Sequence, residues 1–120
     1  MTERIYLDFN ATTPLAAEVA AVMQSLMATH YGNPSSLHWA GVPTRDVVEA
    51  ARCQVAALLQ CDATEIVFTS GGTEANNFAL KGVFFRQRQR HSAPHFIVSQ
   101  IEHPAILEPC RFLERLGAEV

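Results

Sequence analysis

Residues 65–77, EIVFTSGGTEANN, lead from a short apolar run through two glycines into a helix start. The run Glu65–Thr69 is rich in β-branched and aromatic residues, as is typical of a strand buried in a parallel sheet. The helical pattern that follows extends roughly from Thr73 to Gln87. Two glycines allow a sharp turn and a close approach to a ligand. The free N–H groups of a helix start at such a junction suit a phosphate.

Thr73 admits two interpretations at this junction. It can cap the helix through its side chain, or it can donate its hydroxyl to a phosphate oxygen. The spacing matches neither the GxGxxG pattern of dinucleotide sites nor the GxxxxGK pattern of P-loops. Taken alone, Gly-Gly-Thr fits a tight turn with a helix cap equally well.

The remaining pattern predicts an α/β fold, a mostly parallel sheet flanked by helices. Apolar spacing of three and four residues predicts helices, and a further apolar run predicts a strand. The helices are Ala16–Thr29, Thr44–Gln60 with Thr44 as its N-cap, and Pro104–Leu116, and the strand is Phe96–Ser99. Residues 117–120 have the character of a helix stop and the start of another strand. We therefore expect the chain to be truncated inside an element.

Composition limits the function classes. The chain has 120 residues, 48% of them hydrophobic, and a formal net charge of −3. These values predict one folded domain and argue against nucleic-acid or membrane partners. The N-terminus carries no apolar run typical of a signal sequence, so we expect a cytoplasmic protein.

The titratable residues do not predict a metal site. Five histidines lack paired-ligand spacing. Three widely spaced cysteines, Cys53, Cys61 and Cys110, fit reduced packing residues rather than a disulfide framework. Lys81 is the only lysine, and its position on the third predicted helix favours a solvated side chain.

Four segments in register resemble one known family. They are YLDFNATTP at 6–14, GNPSSLH at 32–38, the 65–77 junction, and IEHPA at 101–105. Together they are similar to the N-terminal signatures of the cysteine desulfurases, class V aminotransferase-like enzymes of fold type I that depend on pyridoxal 5'-phosphate (PLP). The resemblance extends from Ile5 to Val120. It implies that residues 1–120 are the N-terminal segment plus the first part of the large PLP-binding domain.

The resemblance also implies a reaction and roles for three residues. Gly72 and Thr73 would hold the PLP phosphate. His103 would stack on the pyridine ring and assist proton transfer, although a histidine before a helix is more often a cap or a surface residue. The implied reaction takes sulfur from L-cysteine and gives L-alanine and an enzyme persulfide, which supplies iron–sulfur cluster or thiolation pathways. The implied partners are a sulfur-acceptor or iron–sulfur scaffold protein and, in the full-length enzyme, a second copy in a homodimer.

Two essential groups of that family match nothing in this chain. Its Schiff-base lysine and its catalytic cysteine belong to later sequence, and Lys81 lies outside the lysine motif. We therefore expect the 120 residues alone to be inactive. A selenocysteine lyase or an aminotransferase of the same fold is one alternative, and a non-catalytic truncated interaction fragment is another.

Overall fold

The computed structural model describes residues 4–90 and 93–120. Across those ranges the chain forms α1 (Ala17–Thr29), α2 (Gly41–Leu59), α3 (Gly72–Arg88) and α4 (Pro104–Arg115), with a short 3-10 helix at Ala63–Glu65. The chain divides into two compact units, Met1–Ile66 and Val67–Val120. Within the described ranges, no helix has the length and apolar content needed to cross a membrane.

In the first unit, a tightly packed loop leads into α2. A Cβ atom on Gly32 would lie 1.9 Å from the carbonyl oxygen of Ala40, so no larger residue fits there. The backbone N–H groups of Gly41 and Val42 both donate to the carbonyl oxygen of His38, at 3.0 and 3.1 Å. This loop therefore starts α2 at Gly41, three residues before the predicted start.

The predicted N-cap at Thr44 is wrong. The N-cap of α2 is Ala40, and the Thr44 hydroxyl donates to the Ala40 carbonyl oxygen at 3.2 Å from inside the first turn. A threonine hydroxyl inside a helix commonly bonds to the carbonyl four residues earlier. The prediction for α1 is confirmed to within one residue, but none of the residues of α1 is buried.

In the second unit, α3 packs against α4 around a small apolar core. Phe84 of α3, Leu113 of α4 and Ala118 form its buried centre. Leu80, Phe96 and Leu116 pack around them, partly buried. Arg88 adds a link between the two helices, because its guanidinium donates to the Leu116 carbonyl oxygen at 3.2 Å.

The end of α4 carries its own stop signal. The N–H of Gly117 donates to the Glu114 carbonyl at 2.9 Å, and the N–H of Ala118 donates to the Leu113 carbonyl at 3.0 Å. This pair of bonds is the Schellman motif, which needs a left-handed residue after the helix. Gly117 supplies it with φ of +96°. The predicted helix stop at Gly117 is confirmed, and the turn places Ala118 in the core.

The predicted parallel sheet is not confirmed among residues 4–90 and 93–120. Segments 66–69 and 96–99 form no strand there. One parallel bridge joins His95 to Glu119, with the Phe96 N–H donating to the Glu119 carbonyl at 2.8 Å. Ile97, in the middle of a predicted strand, is 88% exposed. An apolar run predicts a buried strand, but the strand forms only where neighbouring strands accept its hydrogen bonds.

The α3–α4 core predicts unequal roles for two phenylalanines on α3. Phe84 is 1% exposed and Phe78 is 63% exposed. Phe84→Ala removes the largest fully buried side chain of the described residues and should lower the free energy of unfolding by about 3–5 kcal/mol. Phe78→Ala, the matched control on the same helix, should change it by about 0.5 kcal/mol or less. Urea denaturation followed by circular dichroism measures both, and equal losses would contradict this description of the core.

Candidate cofactor site in the α3–α4 groove

The first turn of α3 leaves its backbone donors open. Gly71 is the N-cap and has no side chain with which to cap the helix. The first helical hydrogen bond runs from the Ala75 N–H to the Gly71 carbonyl at 3.1 Å. Within the described part of the chain, the N–H groups of Gly72, Thr73 and Glu74 meet no acceptor. The helix dipole places a partial positive charge at these same donors.

Thr73 does not cap α3, so the first of its two interpretations is wrong. It is the second residue of the helix, after Gly72. Its backbone carbonyl accepts a hydrogen bond from the Asn77 side-chain amide at 2.9 Å. Its exposed side chain leaves a hydroxyl beside the open N–H groups.

The turn before α3 is held by Glu74. The Glu74 carboxylate accepts one hydrogen bond from the Ser70 N–H and one from the Ser70 hydroxyl, each at 2.6 Å. The bonds from the Ser70 side chain and then from its backbone lower the pKa of Glu74. The Thr69 hydroxyl donates to the Gly71 carbonyl at 3.2 Å. These bonds fix residues 69–71 and leave the donors of the next residues open.

His103 is the N-cap of α4. Its Nδ1 accepts the Ala105 N–H at 3.0 Å, and Pro104 occupies the first helical position. An accepting Nδ1 carries no proton, so the neutral ring carries its proton on Nε2. The cap interpretation of this histidine is therefore confirmed. The bond also holds the ring in one orientation and leaves Nε2 for a ligand.

Thr73 and His103 line the same groove between α3 and α4, a space of about 470 Å³. The other lining residues come from both helices and from the start of α4: Asn77, Lys81, Pro104, Ala105, Glu108, Pro109 and Phe112. Gly72 does not line the groove itself, but it immediately precedes Thr73 in the chain. The structure thus brings two of the predicted site residues to one opening, with the third next to them.

Lys81 is not the freely solvated residue that the sequence predicts. It is half-buried, and its Nζ lies 5.1 Å from the centre of the Phe112 ring. A cation over an aromatic face is stabilised by the ring quadrupole. Thr73, Asn77 and Lys81 are spaced four residues apart, which places them on one helix face. That spacing is a sequence signal for a shared groove, although Thr73 is the only one of the three that the sequence predicts as a site residue.

The donor set fits a phosphate group. It comprises three adjacent backbone N–H groups and the Thr73 hydroxyl, at the positive end of a 17-residue helix. Backbone N–H groups at a helix start are a common phosphate-binding arrangement. The nearest carboxylate in sequence, Glu74, is engaged with Ser70. PLP carries such a phosphate, so the residues present fit the cofactor that the resemblance implies.

The cysteines differ in their surroundings. Cys110 is buried in α4, whereas Cys61 is half-buried and Cys53 is exposed. The packing interpretation is confirmed for Cys110 and wrong for Cys53. Burial raises the pKa of the Cys110 thiol, because the interior disfavours its thiolate. Within the described ranges, no three His, Cys, Asp or Glu side chains are grouped to hold a metal ion.

The aminotransferase class-V family model matches residues 5–120. The chain belongs to this family. Among curated members it is 48% identical to cysteine desulfurase IscS of Dictyoglomus turgidum, over all of this chain and 30% of that protein. It is 47% identical to the mitosomal cysteine desulfurase of Encephalitozoon cuniculi, over 98% of this chain and 28% of that protein. The chain thus spans about 30% of the length of the curated relatives it matches.

Solved structures from the family superpose closely. A NifS-like protein gives a TM-score of 0.88 at 37% identity, over 98% of this chain and 32% of that one. SspA in complex with cysteine gives 0.83 at 36% identity, over 96% and 33%. DndA from Streptomyces lividans gives 0.76 at 40% identity, over 97% and 32%. At these identities and scores, the described fold is that of the corresponding part of those family members.

The raised pKa of Cys110 predicts how the cysteines react. Alkylation requires the thiolate, so Cys110 should react with iodoacetamide only at a higher pH than Cys53 does. Mass spectrometry of peptides from chains labelled across a pH series measures each site. Labelling in denaturant, where both thiols are solvated, is the control and should abolish the difference. Equal labelling of Cys53 and Cys110 in the folded chain at every pH would contradict the burial of Cys110.

Proposed function

We propose that the protein to which this chain belongs is a cysteine desulfurase. It would use PLP to take sulfur from L-cysteine and give L-alanine and an enzyme persulfide. The observation that carries the proposal is the open row of N–H donors at the start of α3, next to the groove that Thr73 and His103 line. Family membership supports it, as do the relatives named cysteine desulfurase and the solved relative in complex with cysteine.

In this proposal Gly72 and Thr73 bind the PLP phosphate. Their backbone N–H groups and the Thr73 hydroxyl donate to its oxygens, and the dipole of α3 favours its negative charge. When bound, PLP supplies an electron sink for the cleavage of the substrate. The phosphate contacts orient the cofactor and hold it against the groove.

His103 is proposed to stack on the pyridine ring and to move a proton at Nε2. Its Nδ1 is occupied by the Ala105 N–H, so Nε2 is the atom free for exchange. Imidazole suits proton transfer near neutral pH. The N-cap bond fixes the ring, so one residue serves both the helix start and the chemistry.

The sulfur transfer breaks the C–S bond of L-cysteine and forms an S–S bond to an enzyme thiolate. The carbon released from sulfur takes a proton and becomes the methyl group of alanine. We assign neither this thiolate nor the Schiff-base lysine to residues 1–120, since no cysteine or lysine here lies in the family's motif for either group. The 120 residues would therefore contribute the N-terminal segment and the first part of the PLP-binding domain. Alone they would not complete the reaction.

The proposed partners follow from the same assignment. They are L-cysteine as substrate, a sulfur-acceptor or iron–sulfur scaffold protein, and a second copy of the full-length chain. Exposed apolar side chains support extensive further contacts, with Leu7 86% and Ile101 94% exposed. We place the protein in the cytoplasm, in keeping with three free cysteines.

A pair of variants at His103 tests the proposed function. The natively expressed protein should form L-alanine from L-cysteine when loaded with PLP. His103→Asn keeps an acceptor for the Ala105 N–H, so it should retain stability but lose about 100-fold or more in rate. His103→Ala should lose the rate and also about 1 kcal/mol of unfolding free energy. Alanine release and chemical denaturation are the two measurements.

Two results would contradict the proposal. If the PLP-loaded wild-type protein releases no alanine from L-cysteine, the assigned activity is wrong. If His103→Asn retains the full rate, then His103 only caps α4 and its proton-transfer role is withdrawn.

A further inference from the structure

The Glu74 carboxylate has no part in the proposed chemistry, yet it makes two hydrogen bonds to one residue. Glu74 is the third residue of α3, and both bonds reach back to Ser70, the residue before the N-cap. The carboxylate is exposed, so these contacts do not serve to satisfy a buried charge. Their effect is to close the turn that leads into the helix.

The same chain contains a different version of this arrangement. At the 3-10 helix, Asp62 is the N-cap and Glu65 is the third residue. The Asp62 side chain accepts a backbone N–H of the helix, while the Asp62 N–H donates to the Glu65 carboxylate at 2.9 Å. This is a complete capping box, in which both partners occupy backbone donors of the helix start.

At α3 only one half of that box is present, and it is shifted by one residue. Gly71 replaces the capping side chain, so no side chain occupies the donors of Gly72 and Thr73. Glu74 bonds to Ser70 instead of to the N-cap residue. The turn is thus fixed from upstream, while the helix donors stay open.

We propose that Glu74 is a positioning residue for the phosphate-binding turn. It holds Ser70 so that the N–H groups of Gly72 and Thr73 face a bound phosphate without being capped. This inference rests on the proposed PLP function. It adds a residue that does not touch the cofactor and acts through Ser70.

The test compares affinities for PLP and for pyridoxal, which lacks the phosphate, in the natively expressed protein stripped of cofactor. Fluorescence titration of the two ligands gives a ratio that reports on the phosphate contacts alone. Glu74→Gln should reduce the preference for PLP about tenfold, with pyridoxal affinity unchanged. Ser70→Ala removes only the hydroxyl donor and should give a smaller loss of the same kind.

Glu65→Gln is the matched control, since it changes the same residue type at the same capping position of the other helix. It should leave the ratio of PLP to pyridoxal affinity unchanged. If wild-type protein does not prefer PLP over pyridoxal, the proposed function fails. If wild-type protein prefers PLP but Glu74→Gln keeps or increases that preference, the positioning role fails and the proposed function stands. If Glu74→Gln loses affinity for PLP and for pyridoxal equally, Glu74 has only a structural role and the inference is overturned.

Discussion

The packing of α3 on α4 through Phe84 and Leu113 is the contact on which the candidate site depends. These two side chains are fully buried, and the two helices that they hold together line an open groove. Thr73 lines the groove from the N-terminal end of α3, and His103 lines it from the N-terminal end of α4. Separation of the helices would leave each residue at an isolated helix start, without a shared space for a ligand. The apolar core therefore sets the geometry in which two polar groups can act together.

The candidate site lies at the N-termini of two helices, which differ in how they are capped. The start of α4 is capped by the His103 ring, and the start of α3 has no capping side chain. Glycine caps a helix slightly less well than serine or aspartate does, and the open N–H groups lack partners. The two hydrogen bonds between Glu74 and Ser70 restore part of the stability that the helix start lacks without a capping side chain, and they leave the N–H donors open. A bound phosphate would satisfy those donors, so ligand binding and helix stability would support each other.

The sequence predicted the helices well, because their signals are local. Apolar spacing placed α1, Pro104 marked the start of α4, and Gly117 marked its end. The sheet could not be predicted from local signals, since an apolar run such as 96–99 forms a strand only where other strands pair with it. The predicted start of α2 at Thr44 is three residues too late, because the tightly packed loop around Gly32 starts the helix at Gly41. At the candidate site, Gly72, Thr73 and His103 are predicted from the family motifs, whereas the Glu74 bonds depend on the conformation of the turn.

A crystal structure of the natively expressed protein with PLP bound tests the central claim most directly. The account predicts phosphate oxygens within about 2.7–3.2 Å of the backbone nitrogens of Gly72 and Thr73. It also predicts that His103 keeps its bond to the Ala105 N–H with the ring facing the cofactor. A phosphate bound elsewhere, with the N–H groups at the start of α3 facing solvent, would contradict the account.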